Sequence, residues 1–139
     1  MNKRPSAKNE AERWLLQAKK DLDDAAYLMK GSRFNTACFL AQQAAEKALK
    51  AFLYNADMEL VWGHSVAELC HDASLIETSF EALKKEIAIL DQYYIPTRYP
   101  NGLPGGVPYE AYDIEDAQKA IRLATKVIDH VKALLKTKE

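Results

Sequence analysis

At 139 residues the chain is long enough for one domain that folds around its own core without disulfide or metal staples. Its 48% hydrophobic and 28% charged residues are the balance of a globular protein rather than an intrinsically disordered one. A net charge of −1 and a pI of about 6.3 exclude a global basic face for gripping nucleic acid or an acidic membrane.

Taken in chain order, Leu15, Ala18, Leu22, Ala25 and Met29 recur at steps of three and four, which predicts a first helix from about Asn9 to Met29. Asp21 falls on the core-facing line of that helix and needs a partner, with Lys47 and Arg98 as the candidates. Gly31 and Ser32 break the helix. A second runs from Arg33 to about Asn55 with the seam Phe34, Cys38, Ala41, Ala45, Ala48 and Phe52. The small side chains of that seam let a partner helix approach closely, and Phe39, Leu49 and Leu53 widen the apolar surface. A helix apolar around most of its girth is expected at the centre of a bundle. The strip left to polar groups is Gln42, Gln43, Glu46, Lys47 and Lys50, where Glu46 and Lys50 are spaced for an i,i+4 ion pair.

Ser65 and Glu68 form a capping box that opens a short third helix, and Thr78 with Glu81 repeats the pattern to open a fourth, reaching about Tyr94. Asp113 caps the last helix, Ile114 to about Lys136. The expected fold is all-α: a single antiparallel, up-down bundle of about five helices spanning residues 1–139, with its core between about 10 and 135. Cys38 and Cys70 sit inside apolar helical patterns and read as reduced core thiols. The N-terminus lacks the apolar run of a secretory signal, and no stretch approaches the roughly 18 apolar residues of a membrane span. A cytoplasmic protein without membrane association is expected.

Residues 95–112 differ in kind, holding Pro96, Pro100, Pro104 and Pro108 together with Tyr99, Tyr109 and Tyr112. Proline fixes φ and removes a donor, so a non-helical segment is expected, packed onto the bundle by its tyrosines. Arg98 is its one arginine. Beside Tyr94 and Tyr99, a planar guanidinium suits phosphate, and the phenol rings offer stacking faces for a base. The alternative is an ion pair of Arg98 with Asp91 or Asp113. Lys47, Gln43 and Glu46 are expected to line the neighbouring groove, with His64 at its edge. His64 and His71 stand about 10 Å apart along one helix without a third ligand, and His130 falls on the polar side of the last helix, so neither a metal nor a cofactor is expected.

Four strings together resemble the HEPN domain family: AERWLLQAKKDL over 11–22, FLAQQAAEKALKAF over 39–52, GHS over 63–65 and YIPTRYP over 94–100. The resemblance covers about Glu10 to Leu135. It implies a bundle that pairs as a homodimer and works beside a minimal nucleotidyltransferase in a toxin–antitoxin-like pair. Many members are metal-independent ribonucleases whose motif is an arginine, four to six residues, then a histidine. After Arg98 the histidine positions hold Leu103, Pro104 and Gly105, none of which shuttles a proton. The expectation is therefore a non-catalytic domain that binds nucleotide, RNA or the nucleotidyltransferase through Arg98, Tyr94, Tyr99, Lys47, Gln43, Glu46 and His64. The alternatives are a ribonuclease toxin with a diverged site, combining Arg98 with His64, and a pure assembly module.

Overall fold

The computed structural model describes residues 6–136. Helix α1 (Ala7–Lys30) begins where the Ser6 side chain accepts the Asn9 amide at 3.1 Å, so a cap rather than the apolar stripe sets its start. Gly31 closes it, and after a left-handed turn at Ser32 (φ 60°) the chain returns as α2 (Phe34–Asn55). Ala37, Cys38, Ala41, Ala44, Ala45 and Ala48 are fully buried along α2. These small residues let α1 and α6 pack closely on it, and α3 and α5 touch it as well. The helix read as central is central. No helix among the described residues is long and apolar enough to cross a membrane.

Helix α3 (Val66–Ser74) has the expected Ser65 cap, whose Oγ accepts the Glu68 amide at 3.1 Å. Glu68 does not complete the box. Asp91 does the remaining work from a distant segment, taking the Ser65 hydroxyl at 2.7 Å and the amides of Val66 and Ala67 at 2.5 and 3.3 Å. A carboxylate at a helix N-terminus answers both the unpaired amides and the helix dipole. The second expected box is not formed: α4 (Phe80–Ile87) starts after Ser79, without a side-chain cap. Beyond Ile87 the chain tightens into a 3-10 helix, Ala88–Tyr93, so the fourth helix ends earlier as α-helix than its periodicity suggests.

The proline-rich segment corrects a further expectation. It contains a 3-10 turn at Pro100–Gly102 and a short helix α5 (Pro108–Ala111), each opening on a proline. Proline is excluded from helix interiors, but at the first helical position its missing N–H has no partner to lose. The last helix, α6 (Ile114–Lys136), makes six α-helices rather than five, with no strand among the described residues. Asp113 and Asp116 cap α6 reciprocally at 3.0 and 2.9 Å.

The core joins α2, α3, α4 and α6 through Phe52 on Phe80 (centroids 4.7 Å apart), Leu49, Leu69, Leu123 and Val127. His130 lies edge-on to Phe80 and within 2.8 Å of the Ser79 hydroxyl, tying α6 to α4 instead of standing free on a polar face. Cys38 and Cys70 are buried free thiols. Burial, with Asp116 and Asp113 nearby, pushes the Cys38 thiol up to about 12, and burial pushes Cys70 up to about 11.

Candidate functional site

The loop that carries Arg98 is fixed from beneath. Thr97 is buried and donates its hydroxyl to the Tyr93 carbonyl at 2.6 Å, while Asn35 at the start of α2 donates to the Thr97 carbonyl at 3.0 Å. The chain then folds back so tightly that a Cβ on Gly102 would lie 2.9 Å from the Pro96 Cα. Only glycine fits there.

On this base Arg98 is exposed, and its Nε donates to the Tyr94 carbonyl at 2.8 Å. The guanidinium carbon lies 4.3 Å from the Phe39 ring centroid, 4.6 Å from Tyr94 and 5.2 Å from Tyr99. Three rings and one carbonyl contact the group, and its terminal N–H donors make no hydrogen bond among the described residues. No carboxylate among the described residues pairs with it. Asp91 is committed to the α3 cap and Asp113 to the α6 cap, so both expected ion-pair partners are occupied elsewhere.

The Tyr94 ring carries a second group. His64 stacks on it with centroids 4.8 Å apart and planes at 18°. The preceding Gly63 adopts φ 98°, the left-handed turn that brings His64 back over α2. His64 Nδ1 then lies 3.3 and 3.2 Å from the two carboxylate oxygens of Glu46, and the His64 carbonyl accepts the Gln42 amide at 2.9 Å. Glu46 is only 3% exposed. It also accepts from Gln42 at 3.2 Å, Gln43 at 3.4 Å and Lys50 at 3.1 Å. Lys50 is buried too, and its ammonium lies 5.5 Å over the Trp14 ring.

Of the residues predicted from sequence, Arg98, Tyr94, Tyr99, His64, Glu46 and Gln43 thus form one contiguous group. Lys47 does not join it. Its ammonium turns to α1 and lies 2.5 Å from Asp21, which also accepts from Gln17 at 2.8 Å; this is the partner that the buried Asp21 requires. Phe39, whose ring lies nearest the guanidinium, was legible only as extra apolar girth on α2. The roles of Asn35 and Thr97 carry no local sequence signal, because their bond joins positions 62 residues apart. No cluster of three metal-ligating side chains occurs among the described residues.

Comparison with known proteins follows the same outline. The sequence model of the HEPN domain matches residues 11–134. MJ1304 of Methanocaldococcus jannaschii, named as a candidate toxin, is 28% identical over 137 residues, covering 92% of this chain and 90% of that protein. Among solved structures, TT1696 from Thermus thermophilus superposes with a TM-score of 0.81 at 39% identity, covering 90% of this chain and 98% of its own. ST0689, described as an archaeal HEPN homologue, gives 0.76 at 35% identity over 91% and 98%. A HEPN domain protein from Thermotoga maritima, TM0613, gives 0.70 at 31% over 89% and 98%. A family match over nearly the whole chain, joined to close structural likeness at these identities, places this all-helical protein in the HEPN domain family.

Proposed function

We propose that this HEPN domain is the toxin-type member of a toxin–antitoxin-like pair and that it binds the phosphate of a nucleotide or RNA segment at Arg98. The observation that carries the reading is a surface guanidinium set among the rings of Phe39, Tyr94 and Tyr99 with no carboxylate among the described residues to neutralise it. Such a fork offers paired donors to an anion, and contacts that restrain it reduce the ordering entropy lost on binding. Tyr99, 51% exposed, offers a stacking face to a base beside the phosphate. The name of MJ1304 supports the toxin-type assignment. A homodimer, a minimal nucleotidyltransferase partner and a cytoplasmic setting complete the proposal.

Titration of the purified protein with a panel of nucleotides and short single-stranded RNAs tests it. At least one should bind, and Arg98→Ala should abolish binding while the melting temperature stays within a few degrees. Unchanged binding would remove Arg98 from the site.

One observation favours a second reading, the diverged ribonuclease. Glu46 engages Nδ1 of His64, Nε2 has no hydrogen-bond partner among the described residues, and the imidazole stacks on the same Tyr94 ring that Arg98 contacts. A carboxylate that orients an imidazole is the arrangement that makes histidine an effective general base. His64 would take the proton of an RNA 2′-hydroxyl as that oxygen attacks phosphorus. The 5′-oxygen would leave with a proton from water, giving a 2′,3′-cyclic phosphate. Cleavage of single-stranded RNA that vanishes in both His64→Ala and Arg98→Ala would establish this reading over simple binding.

A further inference from the structure

A second cavity lies at the other end of α2. From Phe39 to Asn55 that helix spans about 24 Å, and at the Asn55 end the early turns of α1 and the last turns of α6 enclose a half-open space of about 310 Å³. Its floor is aliphatic: Ala11, Leu15 and Leu135, all resting on the core, with Ala11 1% exposed. Its rim holds Lys8, Lys19, Lys132 and Lys136, against a single acid, Glu12.

Three lysines of this rim differ from the ion-paired lysines of the protein. Lys20 pairs with Asp24, Lys47 with Asp21, Lys50 with Glu46 and Lys126 with Glu86. Lys19, Lys132 and Lys136 have no ion-pair partner among the described residues. Lys136 lies in the last turn of α6, where the helix dipole favours a cation. That account does not extend to Lys19, in mid-helix. A chain of net charge −1 has thus gathered three lysines without an ion-pair partner among the described residues, and one carboxylate, around an apolar floor. The lining contains no aromatic ring, so it offers nothing for a base to stack on.

We propose that this cavity is a binding site for a single-chain amphipathic anion, an acyl carboxylate. The carboxylate sits among the lysine ammonium groups and the alkyl chain lies on Ala11, Leu15 and Leu135. The volume is at the small end of the range for ligand pockets, which suits one chain rather than a bulky ligand. The concavity between two helices suits a monomeric ligand rather than the flat face of a bilayer.

Calorimetric titration of the full chain with decanoate below its micellar concentration tests the proposal. Decanoate should bind at least tenfold more tightly than acetate, which lacks the chain, or decanol, which lacks the charge. Lys19→Glu combined with Lys132→Glu should weaken decanoate binding at least tenfold while leaving nucleotide binding at Arg98 intact. The neutral pair Lys19→Gln and Lys132→Gln should lose less. Absence of decanoate binding, equal binding by decanol, or full binding by the charge-reversed protein would each overturn the proposal. So would a protein recruited only to anionic vesicles. Because the two ligands are read separately, failure here does not touch the Arg98 reading, nor failure there this one.

Discussion

Two kinds of cation surround α2, and the contrast between them separates architecture from function. Lys47 and Lys50 arise on the helix itself and are each met by a carboxylate, Asp21 and Glu46, with little exposure on either side of the pairs. Arg98 arrives on a loop, keeps its charge at the surface and is supported only by rings and a carbonyl. A charge buried beside its counter-charge is a structural element, costly to disturb and closed to ligands. A charge held rigid but not neutralised is one that the fold positions without consuming. His64 marks the seam between the two regions, since it touches Glu46 on one side and Tyr94 on the other.

The largest effect expected from breaking this contrast falls on the buried side. Glu46→Ala leaves the Lys50 ammonium without its counter-charge and also removes the acceptor for Gln42, Gln43 and His64. Stranding one member of a buried pair typically costs about 3–5 kcal/mol. The urea midpoint should fall accordingly, and a second change, Lys50→Leu, should recover most of the loss, because an apolar pair in the same volume has no desolvation to repay. A Glu46→Ala protein as stable as the parent would show that the pair does not behave as buried, and the division would collapse.

The buried side was only partly legible in the sequence. The seam of small residues on α2, the Ser65 cap and the apolar stripe of α6 are local patterns, set by helical periodicity and capping chemistry, and they appear where periodicity places them. Asp21 announced a partner by standing on a core-facing line, and Lys47 supplies it. What stayed hidden depends on long-range closure. The capping of α3 by Asp91 and the bond from Asn35 to Thr97 link distant segments, and no local pattern reports such a link. The proline-rich loop was misread as wholly non-helical because a rule about helix interiors was applied to Pro100 and Pro108, which stand at helix starts. Within the candidate site, Arg98 and its tyrosines were visible as a cluster in sequence, whereas Phe39 could be recognised only after α2 had turned it toward the loop.

A middle-sized effect is expected from the core thiols, and it sharpens the contrast from the apolar side. Cys38 is pushed from 9.0 to about 12 and Cys70 to about 11, in both cases chiefly because burial penalises the thiolate. The unfolded chain ionises its thiols near pH 9 while the folded chain keeps them protonated. Stability is therefore intact below pH 9 and declines as pH rises toward the folded-state values, by up to about 1.4 kcal/mol per pH unit for each thiol. Tyr93, pushed up to about 12 by burial and by the nearby Cys38 and Asp116, adds to the same slope from about pH 10. Melting curves between about pH 8 and 11 should show this decline, and Cys38→Ala should make it shallower. An identical slope in that variant would mean that the thiol is not sealed in the core.

The smallest effect on stability belongs to Arg98, and its smallness is the point. Arg98→Ala removes one hydrogen bond to a carbonyl and three ring contacts from an exposed position. Contacts of this kind at the surface are worth roughly 0.5–1 kcal/mol, and no buried charge is left behind. The urea midpoint should therefore barely move, in contrast to that of Glu46→Ala. Arg98→Lys adds a finer test, because it keeps the charge but loses the planar fork and the flat face that stacks on Phe39 and Tyr94. If phosphate is held by paired donors from a preset plane, the lysine variant should recover little of the lost nucleotide affinity; if charge alone suffices, it should recover most. A large loss of stability in either variant would show instead that the guanidinium braces the loop, and Arg98 would then belong with Lys47 and Lys50 on the structural side of the comparison.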